Sequence, residues 1–210
     1  MTRQQKGTCY LCGHETAKAY MGRHLLSTHL KEDGDQECIL VKIEDEHKEY
    51  WLFIDIAASS SLATLDSFLR SVWLECCGHM SAFMIPGTYE EVGMSRKLSG
   101  FAPGVTLRYE YDFGSTTTLF ITFLQRTSRP AQRASVRVLA RNAPYEFTCE
   151  KCGKPAKYTD VSGWPGVMYC TRCANKLVDS AYLLPITNSP RMGVCGYCGE
   201  FDKYQYRPGK

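Results

Sequence analysis

Pairs of cysteines constrain the fold of this chain more than any other feature. Of its 210 residues, eleven are cysteines, and eight of these form four pairs in which two residues separate the members. The pairs are Cys9/Cys12, Cys149/Cys152, Cys170/Cys173 and Cys195/Cys198. Such spacing is typical of metal ligands in a reducing compartment, whereas disulfides are typical of secreted chains.

The N-terminal residues and the hydropathy pattern favour an intracellular, cytoplasmic protein with no membrane partner. The stretch from Met1 to Cys12 is polar and charged, unlike a signal peptide. No apolar run approaches the roughly 18 residues that a membrane-spanning helix requires. We therefore expect reduced cysteines that are available to a metal ion.

The C-terminal third, residues 143–210, contains two of the pairs in a recognisable arrangement. Seventeen residues that include glycine and proline separate the second from the third pair. This spacing predicts two knuckles joined by a β-hairpin, which is a zinc ribbon. Its predicted ligands are Cys149, Cys152, Cys170 and Cys173. The alternative is four buried thiols.

The N-terminal segment, residues 1–34, resembles a ββα zinc finger with two Cys and two His ligands. Cys9 and Cys12 are followed by His24 and His29, which lie about one helical turn apart on a helix. The usual aromatic residue after the second Cys is missing, and Thr16 stands near its place. Alternatively, the two histidines are ordinary surface residues. We expect two structural zinc ions, one here and one in the ribbon.

The last pair, Cys195 and Cys198, has no obvious partner pair, and several hypotheses remain open. It completes a ribbon with another pair, or it forms a third metal site with Cys76 and His79, which have Cys-x-x-His spacing. It could instead be two reduced thiols in an irregular, packed tail that is rich in Pro and Gly. A redox dithiol is less favoured because no βαβ pattern accompanies it.

The middle segment, residues 35–142, has the pattern of an α+β core built on an antiparallel sheet. "CILVKI" and "YWLFIDI" are rich in β-branched and aromatic residues, and "RASVRVLAR" alternates with period two. "HMSAFMI", "VTLRYEYD" and "GSTTTLFITFLQ" predict further strands. The helical period appears at Leu65, Phe68, Leu69, Val72 and Trp73, so we expect one main helix with Thr64 as N-cap.

Two blocks of this core resemble the plasmid pRiA4b ORF-3-like family of transposon-passenger (TnpR-like) proteins. They are "LDSFLRSVWLECCGHMSAF", with His79 four residues before Phe83, and "YEYDFGSTTTLFITFL". The resemblance covers residues 38–142 and implies an antiparallel α+β domain with no established enzymatic activity. The usual Asp, Trp and His after the Tyr-Asp-Phe-Gly are replaced by Ser115, Thr117 and Leu119, so chemistry needing those groups is not expected.

The Asp112-Phe113-Gly114 sequence resembles the magnesium-binding motif of kinases, but no Gly-rich loop or catalytic loop accompanies it. We expect a turn in which Asp112 accepts backbone amides, Gly114 has positive φ and Phe113 anchors in the core. The weaker alternative is a metal-dependent hydrolase or nuclease around Asp112 and His79, with Glu110 as second carboxylate. A cysteine nucleophile at Cys76 or Cys77 with His79 as base is also weak, since no third member is visible.

Charge is divided unevenly along the chain. Residues 35–125 carry a net charge of −7 and residues 126–210 carry +8. Two basic sets could contact successive phosphates, with interleaved aromatics such as Tyr158 and Trp164 for base stacking. The first set is Arg126, Arg129, Arg133, Arg137 and Arg141, and the second is Lys151, Lys154, Lys157 and Arg172. Alternatively, the arginines form ion pairs with the acidic core.

Taken together, these patterns predict a non-enzymatic adaptor that is stabilised by zinc and consists of a finger, a core and a ribbon. Nucleic-acid binding in a mobile-element setting is the favoured function. The alternative is a protein-interaction module whose acidic core and basic ends dock on a partner protein or on another copy of the chain.

Overall fold

The fold is α+β and is dominated by antiparallel sheet, as the sequence predicts. The computed structural model describes residues 6–30, 34–163, 166–177, 181–199 and 201–204. Within these ranges the chain forms twelve strands and three α-helices. Trp164, considered above as a stacking residue, lies outside the described ranges. In the described part of the chain, no helix has the length and apolar character needed to cross a membrane.

The elements follow one another in this order: β1 (Lys6–Cys9), β2 (Glu15–Ala17), α1 (Lys18–Thr28), β3 (Gln36–Asp45), β4 (Trp51–Ala57), α2 (Leu62–Leu69), β5 (Ser81–Met84), β6 (Glu91–Val92), β7 (Thr106–Tyr111), β8 (Thr117–Arg129), β9 (Val136–Asn142), β10 (Tyr158–Asp160), β11 (Val167–Tyr169), α3 (Thr171–Ala174) and β12 (Leu183–Pro185). A π-helical turn, Arg70–Leu74, continues α2, and a 3-10 turn covers Leu98–Gly100.

Nine strands form one large antiparallel sheet in the order β2-β1-β9-β4-β3-β8-β7-β5-β6. One face carries α2 and the π-helical turn, packed on alternate residues such as Ile39, Val41 and Ile54. The other face is covered by α1, whose Met21 and Leu25 pack on a second apolar cluster. Every residue of β4 is therefore buried, because both faces of that strand are covered.

The predicted finger has the expected ββα order, and its hairpin extends the core sheet. Strand β1 pairs with β9, and Cys9 lies opposite Ala140. Gly7 permits this close approach, since a Cβ there would lie 2.3 Å from the carbonyl oxygen of Arg141 and 2.4 Å from the ring of Trp51. The finger is thus hydrogen-bonded to the core along a whole strand.

The main helix begins earlier than the sequence indicated. Ser61, and not Thr64, is its N-cap residue, in extended backbone conformation. The α-helical part ends at Leu69, and the π-helical turn carries Val72, Trp73 and Leu74 into the core. The expectation of a helix with Trp73 on its apolar face is therefore confirmed, while the prediction of Thr64 as the N-cap residue was wrong.

The ribbon and the tail complete the chain. Strands β10, β11 and β12 form a three-stranded antiparallel sheet, and β10 with β11 is the predicted hairpin. The segment after β12 is irregular, and we call residues 186–199 and 201–204 the C-terminal segment. It packs on the core: Ser189, Arg191 and Tyr197 are buried, and Trp73 Nε1 donates to the carbonyl of Asn188.

Candidate metal centres

The first cluster lies where the finger hairpin meets α1 and consists of Cys9, Cys12, His24 and His29. Cys9 ends β1, and Gly13 turns the knuckle with a φ of 75° while its amide donates to the Cys9 carbonyl. Cys12 Sγ lies 3.3 Å from His24 Nε2. His29 Nε2 is buried and has no hydrogen-bond partner among the residues that the structure describes.

The electrostatics of the two histidines favour ligation. Burial lowers the pKa of His24, and the neighbouring rings of His14 and His29 lower it further. Burial also lowers the pKa of His29, with the charge of Arg137 adding to the effect. Both rings are therefore neutral at pH 7, which is the form that binds metal. Two neutral imidazoles and two thiols whose ligand atoms lie within 4.8 Å of one another fit a tetrahedral ion.

The second cluster consists of Cys149, Cys152, Cys170 and Cys173, as the ribbon spacing predicts. Cys149 and Cys152 flank a knuckle that Gly153 closes with a φ of 68°, and the other two thiols lie at the start of α3. Cys152 Sγ lies 3.6 Å from Cys170 Sγ and 3.7 Å from Cys173 Sγ. Backbone amides, chiefly that of Cys170, lower the pKa of the Cys149 thiol to about 6.

These separations match the demands of a tetrahedral zinc ion. Zn–S bonds of about 2.3 Å at tetrahedral angles place two sulfurs about 3.8 Å apart, and sulfur and nitrogen about 3.5 Å apart. The thiol separations in the ribbon are 3.6 and 3.7 Å, and the Cys12–His24 separation is 3.3 Å. The predicted ligands of both sites are therefore brought together in a geometry that could hold a metal ion.

A third cluster joins the loop after the π-helical turn to the C-terminal segment. Its members are Cys76, Cys77, His79 and Cys195, whose ligand atoms all lie within 4.8 Å of one another. The sequence pointed to Cys76, His79 and Cys195 but placed Cys198 with them instead of Cys77. The chain turns at Gly196 and buries Tyr197. The fourth member is instead Cys77, whose Sγ lies 4.0 Å from Cys195 Sγ.

Asp112 accepts the backbone amides of Gly114 and Ser115 at 3.0 and 3.2 Å, as expected for this turn. Two other expectations were wrong. Asp112 itself has the positive φ of 64°, and Phe113 is 47% exposed instead of anchored in the core. The reason is Arg191, whose Nη2 donates to Asp112 Oδ2 over 2.5 Å and whose guanidinium lies over Tyr111. This contact holds the carboxylate inward and leaves Phe113 outward.

The arginines proposed to contact phosphates have different roles in the structure. Arg129 and Arg141 are buried, and they pair with Asp55 and Asp202 respectively. Arg137 is partly buried and also pairs with Asp55, so β4, β8 and β9 share one carboxylate. Arg126 pairs with Glu37 on the surface, and Arg133 is exposed. Arg129 and Arg141 are thus not placed to touch a nucleic-acid backbone. The alternative of ion pairs with the acidic core describes Arg129 and Arg137, whereas the partner of Arg141 belongs to the C-terminal segment.

The basic residues of the ribbon differ from these arginines. In the described part of the chain, none of them forms an ion pair, and all are exposed. They are Lys151, Lys154, Lys157 and Arg172, joined by Lys176, which the sequence analysis did not single out. Glu150, the acidic residue within the first knuckle, uses its carboxylate to accept the amide of Met168.

Comparisons with known proteins add little to this geometry. No protein-family description matches the chain, and no curated protein matches it. Among solved structures, one match is a protein of unknown function, MM3350, from Methanosarcina mazei Go1. It is 18% identical, with a TM-score of 0.42 over 57% of this chain and 75% of that chain. A match this distant carries no argument about the present molecule.

The sequence analysis did not place two residues that contribute to this geometry. Arg191 lies in an irregular Pro- and Gly-rich segment, where neither periodicity nor a motif indicates burial. Cys77 was visible as half of a Cys-Cys pair, and that adjacency was the signal that could have placed it with Cys76 in the third cluster.

Proposed function

We propose that this chain is a non-enzymatic binding protein whose finger and ribbon each hold one structural zinc ion. Each of these two clusters supplies four Cys or His ligands, so a tetrahedral ion would have no open position for substrate or water. The ribbon in particular has a small apolar cluster of Cys149, Tyr169, Cys170 and Ala174. So small a core needs the additional free energy of metal binding to fold.

We further propose that the ribbon binds nucleic acid through its phosphates. The observation that carries this proposal is the set of five exposed cations on the ribbon, none of which is neutralised by an ion pair in the described residues. Cations without a partner attract a polyanion because phosphate binding releases condensed counterions. Tyr182, which is 51% exposed beside β12, provides an aromatic surface for base stacking.

The finger contributes less to nucleic-acid binding in this proposal than an independent DNA-binding zinc finger would. Its helix packs Met21 and Leu25 against the sheet, and Arg23 is the exposed cation within α1. The binding surface is therefore the ribbon, and the core and finger position it. Mobile-element association, which the resemblance to the pRiA4b ORF-3-like family implies, is part of the same proposal.

Fluorescence anisotropy with labelled single-stranded DNA, duplex DNA and single-stranded RNA tests nucleic-acid binding. We expect the affinity to fall steeply with salt. The double variant Lys154→Glu/Lys157→Glu should make the slope of log K against log salt shallower by about 1.4–1.8, since each lost phosphate contact removes about 0.7–0.9. The control Lys48→Glu/Lys97→Glu reverses two exposed cations of the core and should leave the slope unchanged.

An unchanged slope in the ribbon variant, or no binding to any of the three nucleic acids, would contradict this function. The protein-interaction alternative would then take its place, and the same charge-reversal variants would be compared for capture of a partner protein.

A further inference from the structure

The third cluster differs from the first two in the origin of its ligands. The ligands of the finger and of the ribbon each come from one short stretch of chain. In the third cluster, Cys76, Cys77 and His79 come from the loop before β5, while Cys195 lies 116 residues after His79. A metal ion here would therefore cross-link two distant parts of the molecule.

The loop that carries three of these ligands is held in place by the core. Glu75 Oε1 accepts the amide of Gly78 at 2.6 Å, and Gly78 turns the chain with a φ of 71°. Arg70 donates to Glu75 Oε2 at 3.0 Å and to the His79 carbonyl at 2.8 Å. The core residues Arg70 and Glu75 thus fix the backbone of this loop on the core side of the cluster.

Cys195 is presented to this loop by an unusual backbone conformation. Its φ is 49°, in the left-handed region that residues other than glycine seldom adopt, and Gly193 and Gly196 on either side also have positive φ. His79 Nε2 lies 3.2 Å from Cys195 Sγ. Strained conformations of this kind persist where the surroundings stabilise them, and they are concentrated at functional sites.

We propose that Cys76, Cys77, His79 and Cys195 bind a third zinc ion that fastens the C-terminal segment to the core. Three thiolates and one imidazole in a compact group are the donor set of a tetrahedral zinc site. With three thiolates, the zinc complex has a net charge of −1. The Arg191–Asp112 ion pair borders this group, because Asp112 Oδ2 contacts both Arg191 and, at 3.6 Å, His79 Nε2.

This ion is the most exchangeable of the three. Cys77 and Cys195 are both exposed, whereas each of the other clusters contains at least one cysteine that is almost fully buried, Cys9 in the finger and Cys149 in the ribbon. A chelator can therefore reach the third ion by opening the C-terminal segment, without unfolding either zinc module. Loss of the ion would release the residues around Cys195 from the loop before β5. Arg191, which precedes them, would stay bound to Asp112.

Metal content measured by native mass spectrometry of the full chain, purified in reducing buffer, tests the proposal. We expect three zinc ions in the wild-type chain and two in Cys195→Ser. The matched control Cys198→Ser alters an exposed cysteine three residues away that does not belong to the cluster, and it should keep all three ions. Two ions in the wild-type chain, or loss of one ion from Cys198→Ser but not from Cys195→Ser, would overturn the proposal.

Stepwise chelation of the wild-type chain provides a test that does not depend on a variant. The first ion removed should be followed by faster amide exchange in residues 189–199, with the finger and ribbon still protected. If exchange first increases in the finger or the ribbon, the third site is not the exchangeable one. A mass lower by two hydrogens, with a cross-linked Cys77–Cys195 peptide and no zinc at the cluster, would identify a disulfide and reject the metal site.

Discussion

Arg191 and Asp112 form a buried ion pair that joins the C-terminal segment to the turn at the end of β7. Arg191 is fully buried, and its Nη1 also donates to the Ser115 carbonyl and to Thr117 Oγ1, each at 3.0 Å. Asp112 thus has a structural partner 79 residues away. This pair gives Asp112 a structural role in the Asp-Phe-Gly turn.

Replacement of Asp112 by Asn should destabilise the chain in a manner that depends on pH. The hydrogen bond from Arg191 lowers the pKa of Asp112 to about 2, below its ordinary value of 3.8. The contribution of the ionised Asp112 to the free energy of unfolding is therefore complete above about pH 4 and is lost as the pH falls through about 2. The difference in unfolding free energy between wild type and Asp112→Asn should be largest at neutral pH and should shrink below pH 4.

Urea denaturation at a series of pH values measures this difference, and comparison of the two proteins at each pH cancels the effect of acid on the titratable groups that they share. A difference that stays constant down to the lowest pH at which both proteins unfold cooperatively would show that Arg191 does not hold the carboxylate in its ionised form.

Asp55 should be far more important for stability than an exposed acidic residue in a similar pair. Its side chain is 1% exposed and accepts hydrogen bonds from Arg129 and Arg137, so Asp55→Asn would leave a buried guanidinium without its counter-charge. Breaking a buried pair costs about 3–5 kcal/mol. The control is Glu37→Gln, since the Glu37–Arg126 pair is exposed and worth about 0–1 kcal/mol. Equal losses in chemical denaturation would contradict this assignment.

Gly7→Ala should weaken the attachment of the finger hairpin to the core. The new Cβ would lie within 2.4 Å of both the Arg141 carbonyl and the Trp51 ring, so β1 or Trp51 has to move. Overpacking of this kind costs about 1–3 kcal/mol. Gly93→Ala is the control because a Cβ there meets nothing within 4 Å.

Thermal denaturation together with amide exchange of β1 distinguishes the two glycine variants. We expect lower stability and faster amide exchange in β1 for Gly7→Ala, and neither change for Gly93→Ala. Normal protection of β1 in that variant would mean that the finger is not held through the β1–β9 pairing.

Local patterns in the sequence were sufficient for much of this architecture. Alternation predicted the strands of the core, the apolar period predicted the helix that buries Leu65 and Trp73, and ligand spacing predicted which residues meet in the finger and ribbon clusters. These features depend on residues that are close in sequence, where the backbone geometry alone decides which side chains share a face.

Contacts between distant segments could not be predicted in this way. The burial of Arg129 and Arg141 depends on Asp55 and Asp202, which lie 74 and 61 residues away. The alternation of β9 predicted its arginines on one face, but the register of β9 against β4 shifts between Phe53 and Ile54, and Arg137 and Arg141 are held by different carboxylates. A single sequence does not reveal which face another segment covers, so a row of arginines resembles an exposed basic surface.

The most direct test of the central claim is the zinc content of the finger and ribbon in matched variants. Native mass spectrometry should show that Cys12→Ser and Cys152→Ser each lose one zinc ion relative to the wild-type chain, and that the double variant loses two. Each of these cysteines is an exposed member of its cluster, so its replacement removes a ligand and little packing. A wild-type chain without zinc, or variants that keep the full number of ions, would contradict the account.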